Sequence, residues 1–430
     1  MLFKITSLNS QQQKEIRYFD NISLKVFDEN KNQIDFCKDV RYSGLYSDEV
    51  LNNHSEYKSD CISHLRIQLG LNCNYSCKYC LQESQRKEFI AKEIQLPPEI
   101  TSKNFIKILT SKVKTIKKIT LWGGEPLVYI KLLYHLVPLL KKYYPEAKIF
   151  LISNGSLLTK KITDFFIKYS INLDVSHDGE SFNKFRNNKD PFDNPKIIEC
   201  IREYLNFCES KENIDNIRFQ IRTVIVPLGV DLDKTLKFFY KKFNRKVPIF
   251  FESIVRVNSK EQEEYFSFTS QQAQDLIKNL IQNCSTVSNS KNNPYWSLRN
   301  DISTILVRIV NQQSFESTPY RCGNAKKDQI TIDLKGNLIS CPSENIHSAF
   351  LGHISQLEKL KVTQFYTWKD RINCSKCPFL VGCKGACSIA SNEKHNFICK
   401  NYRIYYTALF LCAWKILFQS LIINIESIKD

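Results

Sequence analysis

The sequence predicts an α/β protein built on a partial (β/α)6 barrel of the TIM type, with a Cys-rich C-terminal domain and a small N-terminal extension. Three observations lead there. Between residues 61 and 258, short apolar runs alternate with longer stretches of helical periodicity, the pattern of βα units around a parallel sheet. Cysteines crowd into two regions, one directly after the first barrel strand and one beyond residue 320. The chain has 430 residues, 43% hydrophobic and 24% charged, enough for one catalytic body with a smaller module attached.

The barrel strands are expected at Leu65–Leu69, Lys118–Trp122, Lys148–Ser153, Asn172–Ser176, Arg218–Val226 and Val247–Ile254. Pro98–Thr110, Val128–Tyr144, Thr159–Tyr169 and Lys196–Cys208 carry Leu, Ile and Phe at helical spacing, and the connections are long enough for parallel crossovers. Residues 1–60 form the extension, with a candidate hairpin of Ile22–Phe27 and Ile34–Cys37 around Asp28-Glu29-Asn30-Lys31-Asn32. Residues 259–319 read as a helical linker containing Gln271–Cys284. Residues 320–400 form the Cys-rich domain, with Ile330–Asp333 and Leu338–Ser340 flanking the turn Leu334-Lys335-Gly336-Asn337. Residues 401–430 are expected as a C-terminal helix. Its apolar stretch Ile404–Ile425 has bilayer-spanning length, but Lys415 and Gln419 in the middle favour packing on the protein over a membrane.

Lys and Arg number 61 against 44 Asp and Glu, a net charge of +17, which suits an acidic partner. The basic residues are scattered, as in Lys112–Lys118, and no basic arm is interleaved with aromatics, so nucleic-acid binding is disfavoured. The N-terminus lacks the apolar run of a signal peptide, so the chain is expected to stay in the cytosol. There the 16 cysteines stay reduced, and tightly spaced ones read as metal ligands. Cys37, Cys61, Cys200, Cys208, Cys284 and Cys412 stand alone and read as small buried residues.

Cys73, Cys77 and Cys80 lie in Cys-Asn-Tyr-Ser-Cys-Lys-Tyr-Cys. Three thiolates can hold a cubane by three of its four irons and leave one iron open; taken alone, the trio could also be a zinc knuckle short of a ligand. With Tyr79 before the last Cys, the motif resembles that of the radical S-adenosylmethionine superfamily. The resemblance implies that the open iron binds the amino and carboxylate groups of S-adenosylmethionine, and that an electron passed to the sulfonium yields methionine and a 5′-deoxyadenosyl radical. Trp122-Gly123-Gly124-Glu125-Pro126 resembles the family's Gly-Gly-Glu-Pro element, which contacts the methionyl amino group. Gly124 would admit a close ligand, and Glu125 could accept from an ammonium. Ser153-Asn154-Gly155 and Ser176-His177-Asp178-Gly179 place small polar residues at strand ends, where barrels bind ligands. By resemblance Ser176 contacts the ribose and Arg186 pairs with the methionyl carboxylate. From the residues alone, Ser176–Gly179 is equally a turn and Arg186 equally a solvated side chain.

Downstream, Cys322, Cys341, Cys374, Cys377, Cys383, Cys387 and Cys399 follow in an order that resembles the SPASM extension of the same superfamily. The resemblance implies one or two auxiliary four-iron clusters. Cys374, Cys377, Cys383 and Cys399 would complete one, and Cys322, Cys341 and Cys387 would join around the other. Some relatives supply a further Cys where this chain has Asp328. A pair of zinc sites is the alternative from spacing alone. The implied function is hydrogen abstraction from a peptide or protein: maturation of a ribosomally made peptide by crosslinking, thioether formation or residue oxidation, with a reductant such as flavodoxin or ferredoxin. Anaerobic sulfatase maturases are the alternative within the family, disfavoured because Pro342 stands where they carry Asp after the Cys matching Cys341. A zinc-stabilised nucleic-acid-binding protein is the alternative from another class.

Overall fold

A computed structural model describes the chain except residues 37–56, 84–85, 87–95, 187–188, 211, 214–215, 286–292, 314–325, 342–349, 362–365 and 429–430. The N-terminus opens with β1 (Leu2–Leu8), whose alternation buries Phe3, Ile5 and Ser7. It pairs antiparallel with β2 (Lys14–Asp20) from Leu2↔Asp20 to Leu8↔Lys14, and β2 continues to the two-residue β3 (Val26–Phe27). The expected hairpin is therefore corrected. Its turn exists, with the Asp28 carboxylate accepting from the backbone of Asn30 and Asn32. It is flanked only by β3 and a single Phe27↔Gln33 bridge, because the alternation that buries an apolar face lies farther upstream. Cys37 lies outside the described residues.

The six predicted barrel strands form neighbouring parallel strands in chain order: β4 (Cys61–Gln68), β5 (Thr115–Trp122), β6 (Lys148–Ser153), β7 (Asn172–Ser176), β8 (Phe219–Ile225) and β9 (Ile249–Ile254). Between them run α1 (Pro98–Thr110), α2 (Ile130–Tyr143), α3 (Lys160–Lys168), α4 (Phe182–Arg186), α5 (Pro195–Glu209) and α6 (Leu232–Phe243). The side chains of Thr159, Asn194 and Asp231 accept from first-turn amides of α3, α5 and α6, which fixes where each helix starts. Leu65, Ile67, Ile119, Leu121, Leu151 and Val175 join Leu109, Leu136, Phe166, Ile201 and Phe239 of the helices in one core. The pleat turns the alternate residues of each strand to the barrel's inner face.

After β9 the chain forms three described helices where one was expected: α7 (Lys260–Phe266), α8 (Ser270–Cys284) and α9 (Trp296–Val310). The hairpin predicted in the Cys-rich region is β10 (Gln329–Asp333) and β11 (Asn337–Ile339), its turn held by Asp333 accepting from Lys335, Asn337 and the Asn337 side chain. β10 adds in parallel to β4, Ile330 opposite Leu65, and β12 (Phe350–His353) follows β11. The Cys-rich region thus extends the barrel sheet to nine strands among the described residues.

The C-terminal helix also needs correction. After α10 (Leu380–Cys383), α11 runs Asn392–Phe418; Gln419 takes a left-handed φ of 53°, and β13 (Leu421–Ser427) pairs antiparallel with β1. The β-branched Ile422, Ile423 and Ile425 suit a strand, and the open edge of β1 supplies its ladder. No helix among the described residues is long and apolar enough to cross a membrane. Cys200, Cys208, Cys284 and Cys412 are buried as expected, but Cys61 is exposed at the first position of β4, beyond the packed part of the strand.

The N-terminal sheet reaches the Cys-rich region through Asn21, which is fully buried and donates to the carbonyls of Ser375 and Cys377, both at 2.9 Å. Asn21→Ala leaves two carbonyls without that donor, and chemical denaturation should report a loss of about 1–3 kcal/mol; unchanged stability would refute the brace.

Candidate functional site

The first Cys loop is pinned by the loop after β5. Gly123 and Gly124 have φ of +107° and +50°, and a Cβ on Gly124 would stand 2.0 Å from the carbonyl oxygen of Asn72. Only glycine fits there. The Glu125 amide then donates to that same oxygen at 2.8 Å, the Gly124 amide donates to the Gln82 side chain at 3.1 Å, and the Asn72 amide donates to the Tyr129 hydroxyl at 2.7 Å. The close approach expected of the glycine pair is therefore made to the chain just before Cys73.

Cys73, Cys77 and Cys80 are half-buried on this loop, near enough that Cys80 acts on the ionisation of Cys73, and Cys73 and Cys80 act on that of Cys77. Burial pushes the Cys77 thiol up to about 12 against the pull of Arg186, and burial raises Cys73. A metal group binding here must displace protons to gain thiolates. Among the described residues no three His, Cys, Asp or Glu are grouped closely enough to share one ion. A cluster spanning several irons, each taking one soft sulfur and leaving one corner open, fits this donor set.

Tyr79, Asp178 and Arg186 form a buried triad behind the loop. Arg186 donates from Nε and Nη2 to the two Asp178 oxygens at 2.8 and 3.1 Å, and the Tyr79 hydroxyl donates to Asp178. Burial opposes ionisation of Asp178, but the Arg186 charge outweighs it and holds the carboxyl below its usual range. Burial pushes the Tyr79 phenol well up. Arg186 is thus buried rather than solvated, with its fork engaged by Asp178. The Lys78 amide donates to the Phe185 carbonyl at 2.9 Å, tying the Cys loop directly to α4.

His177 was not singled out from sequence beyond its place in the turn. It accepts from the Gly179 amide at Nδ1 (3.0 Å), faces Asp190 through Nε2 (2.9 Å) and stacks on Phe192. Burial lowers its pKa. Ser176 lies at the end of β7, so Ser176–Gly179 is a wired strand end. Glu125 gathers the neighbouring strand: one oxygen accepts from the Ser153 hydroxyl (2.7 Å) and the Leu127 amide (2.9 Å), the other from the Asn154 amide (2.7 Å). Burial raises its pKa against these bonds. Pro126 opens the short turn that follows, and Asn154 reaches across to Asn74 at 2.8 Å.

In the second constellation, Cys374, Cys377 and Cys399 lie within one another's electrostatic reach, and burial pushes the Cys374 thiol up to about 12. Arg371 is buried and donates to the carbonyls of Cys387 (2.9 Å) and Ala390 (2.6 Å), which holds the Cys387 loop beside Cys374. Cys383 ends α10 and Cys341 is buried just past β11; Cys322 and Pro342 lie outside the described residues. His395 Nε2 stands 3.8 Å from the Cys374 sulfur, a neighbour the sequence reading missed although His395 and Cys399 share one helix face.

Removing Arg186 strands a buried carboxylate, so Arg186→Ala should cost about 3–5 kcal/mol, and Arg186→Lys should restore only part because the two-pronged bond is lost. Because Asp178 titrates lower folded than unfolded, its stabilisation is full above about pH 4 and fades as pH falls further. Denaturation midpoints across pH 3–7 should lose this acid-side slope in Asp178→Asn.

Residues 67–227 match the Radical SAM superfamily model. The chain is 22% identical over 398 residues to the radical SAM cyclopropyl synthase TigE of Paramaledivibacter caminithermalis, spanning 84% of this chain and 76% of that protein. It is 32% identical over 125 residues to the GTP 3′,8-cyclase of Campylobacter lari, spanning 28% of this chain and 37% of that protein. A structure of anSMEcpe with bound AdoMet and the Cp18Cys peptide shares the fold, with a TM-score of 0.55 at 18% identity over 83% of this chain and 96% of that one. With the three-Cys loop at the edge of a partial barrel, these matches show that residues 67–227 form a Radical SAM domain, and such a domain implies a four-iron cluster and S-adenosylmethionine.

Proposed function

We propose that the enzyme abstracts hydrogen from a peptide or protein, in the maturation of a ribosomally made peptide by crosslinking, thioether formation or residue oxidation. The observation that carries this is the pairing of two Cys regions on one sheet: the Cys73, Cys77, Cys80 loop leaves β4, and the Cys-rich hairpin adds β10 to the other edge of that strand. The peptide reading is supported by the fold shared with anSMEcpe, whose structure holds a peptide. A nucleotide substrate is the second reading, favoured by the GTP 3′,8-cyclase likeness; that likeness covers 28% of this chain and leaves the Cys-rich region without a role.

Cys73, Cys77 and Cys80 would hold the cluster. With S-adenosylmethionine bound there, the group would pass one electron from an external reductant to the sulfonium, breaking its C5′–S bond to release methionine and a carbon radical able to take hydrogen from a substrate carbon. The protein's own part is orientation and exclusion of water. Gly123, Gly124, Glu125 and Pro126 with Ser153 and Asn154 shape one wall, and Tyr79, Ser176, Asp178 and Arg186 shape the other. Phe185, Val226, Val255, Val257 and Phe266 pack around Tyr79 as an apolar rim, which keeps water from a reactive intermediate. Cys374, Cys377, Cys383 and Cys399 would hold one auxiliary cluster, and Cys341 and Cys387 with Cys322 a second, whose open iron could take substrate or another ligand. The net charge of +17 suits an acidic peptide and an acidic reductant such as flavodoxin or ferredoxin.

Anaerobically reconstituted enzyme with dithionite should convert S-adenosylmethionine to 5′-deoxyadenosine, and Cys77→Ala should abolish it; activity retained in that variant would refute the cluster assignment. Cys374→Ala with Cys377→Ala should lower iron by roughly four atoms per chain while the signal of the first cluster persists. Deuterium transfer into 5′-deoxyadenosine from labelled peptide, and none from labelled GTP, would separate the two substrate readings.

A further inference from the structure

Register places one residue set on the inner face of the barrel: His64, Lys118 and Lys148 in one layer, Arg66, Thr120 and Phe150 in the next, then Asp174 beside Gln220, and Arg222 beside Phe250. The same strands bury their other face almost completely. Solvent reaches the inner face, where the side chains of Arg222, Glu252 and Arg218 are 22%, 36% and 41% exposed. A run of charges inside a barrel needs compensation or a ligand. Arg222 pairs with both acids, bonding Asp174 Oδ2 at 2.9 Å and Glu252 at 2.6 Å, and the Asp333 carboxylate is spent in its own turn. Lys118 makes no ion pair among the described residues. Its ammonium and the Arg218 guanidinium both lie over the Phe150 ring, at 4.4 and 4.9 Å. Arg218 reaches Asp174 only at 3.5 Å.

A second observation points to a ligand independently. Gln68 Oε1, Trp122 Nε1, Asp174 Oδ1, Arg218 Nε, Gln220 Nε2 and Thr331 Oγ1 are buried atoms without hydrogen-bond partners, and register puts all of them on this inner face. Gln68, Asp174, Gln220 and Thr331 are each at least nine-tenths buried. Buried polar atoms are almost always satisfied in a finished interior, so a concentration of orphans on one wall marks a surface completed by something polar. Burial, with Arg218 adding repulsion, lowers the Lys118 pKa against the attraction of Asp174.

Resting on the peptide reading above, we infer that the barrel interior selects a substrate segment bearing a carboxylate, an Asp or Glu side chain, received by Lys118 and Arg218 over Phe150 while its amides meet Gln68, Gln220 and Thr331. The competing source of negative charge is a nucleotide phosphate.

The test uses the full reconstituted chain and capped heptapeptides that differ only in a central Glu, Gln or Lys, measured by equilibrium dialysis at fixed ionic strength. The Glu peptide should bind at least about ten-fold tighter than the Gln peptide. That preference should vanish in Lys118→Met and in Arg218→Met and persist in Lys118→Arg, with circular dichroism checking that each variant is folded. Equal retention of the Glu and Gln peptides, no retention of the Glu peptide at millimolar concentration, tighter binding of the Lys peptide, or a preference that survives both Met variants would overturn the proposal. So would GTP binding tighter than the Glu peptide with the same sensitivity to the Met variants. Reductive cleavage of S-adenosylmethionine by the wild-type chain is scored separately. Its failure beside an intact Glu preference would remove the radical reading and leave the anion site standing.

Discussion

The ion pair between Arg186 and Asp178 is the constraint on which the rest of the site depends. Tyr79 stands between Cys77 and Cys80, Asp178 just past the end of β7, and Arg186 at the end of α4, so one buried carboxylate joins the Cys loop to two other parts of the barrel. The Val224 amide of β8 approaches the same carboxylate at 3.4 Å. Such a pair is tolerated in an apolar setting only when both partners stay and their hydrogen bonds are made. Here both oxygens are used, and the apolar rim around Tyr79 keeps the local dielectric low enough to make the geometry stiff.

A second layer of fixation comes from backbone contacts. The glycine pair after β5 allows two loops to pass at a distance no side chain would permit, and Glu125 carries that junction to β6. Position therefore propagates along consecutive strand ends: β4 to β5 through Asn72 and Glu125, β5 to β6 through Glu125, Ser153 and Asn154, and β7 to the Cys loop through Asp178 and Tyr79. Each link is local in space and distant in sequence, which is how a barrel edge holds a reactive group within a fraction of an ångström.

The chain ends contribute in the same manner. β13 closes on β1, and Asn21 anchors the turn that carries Cys374 and Cys377, so residues from both termini support the second constellation. The Asn401 side chain donates to the carbonyls of Val255 and Phe266, fastening α11 to the rim of the barrel. The region that would carry auxiliary clusters and the region that would carry the first one thus share a single framework.

Much of this was legible in the residues. The strands at Lys148–Ser153 and Asn172–Ser176 and the helix at Pro98–Thr110 fall where their periodicity put them, because each has one apolar face and clear punctuation. The three-Cys loop and the Gly-Gly-Glu-Pro turn were visible because metal and backbone chemistry demand particular residues at fixed spacing. Less was legible where the deciding partner is remote. The sequence Leu421–Ser427 reads as a continuation of an apolar helix until the edge of β1 is supplied, and the bidentate use of Arg186 could not be told from a solvated arginine without knowing that Asp178 is buried. Local spacing and pattern thus determined the elements and where thiols and small polar residues gather along the chain. Tertiary structure decided which polar groups were satisfied and which were left open on the barrel's inner face, because the cost of burying a charge depends on neighbours that only folding brings together.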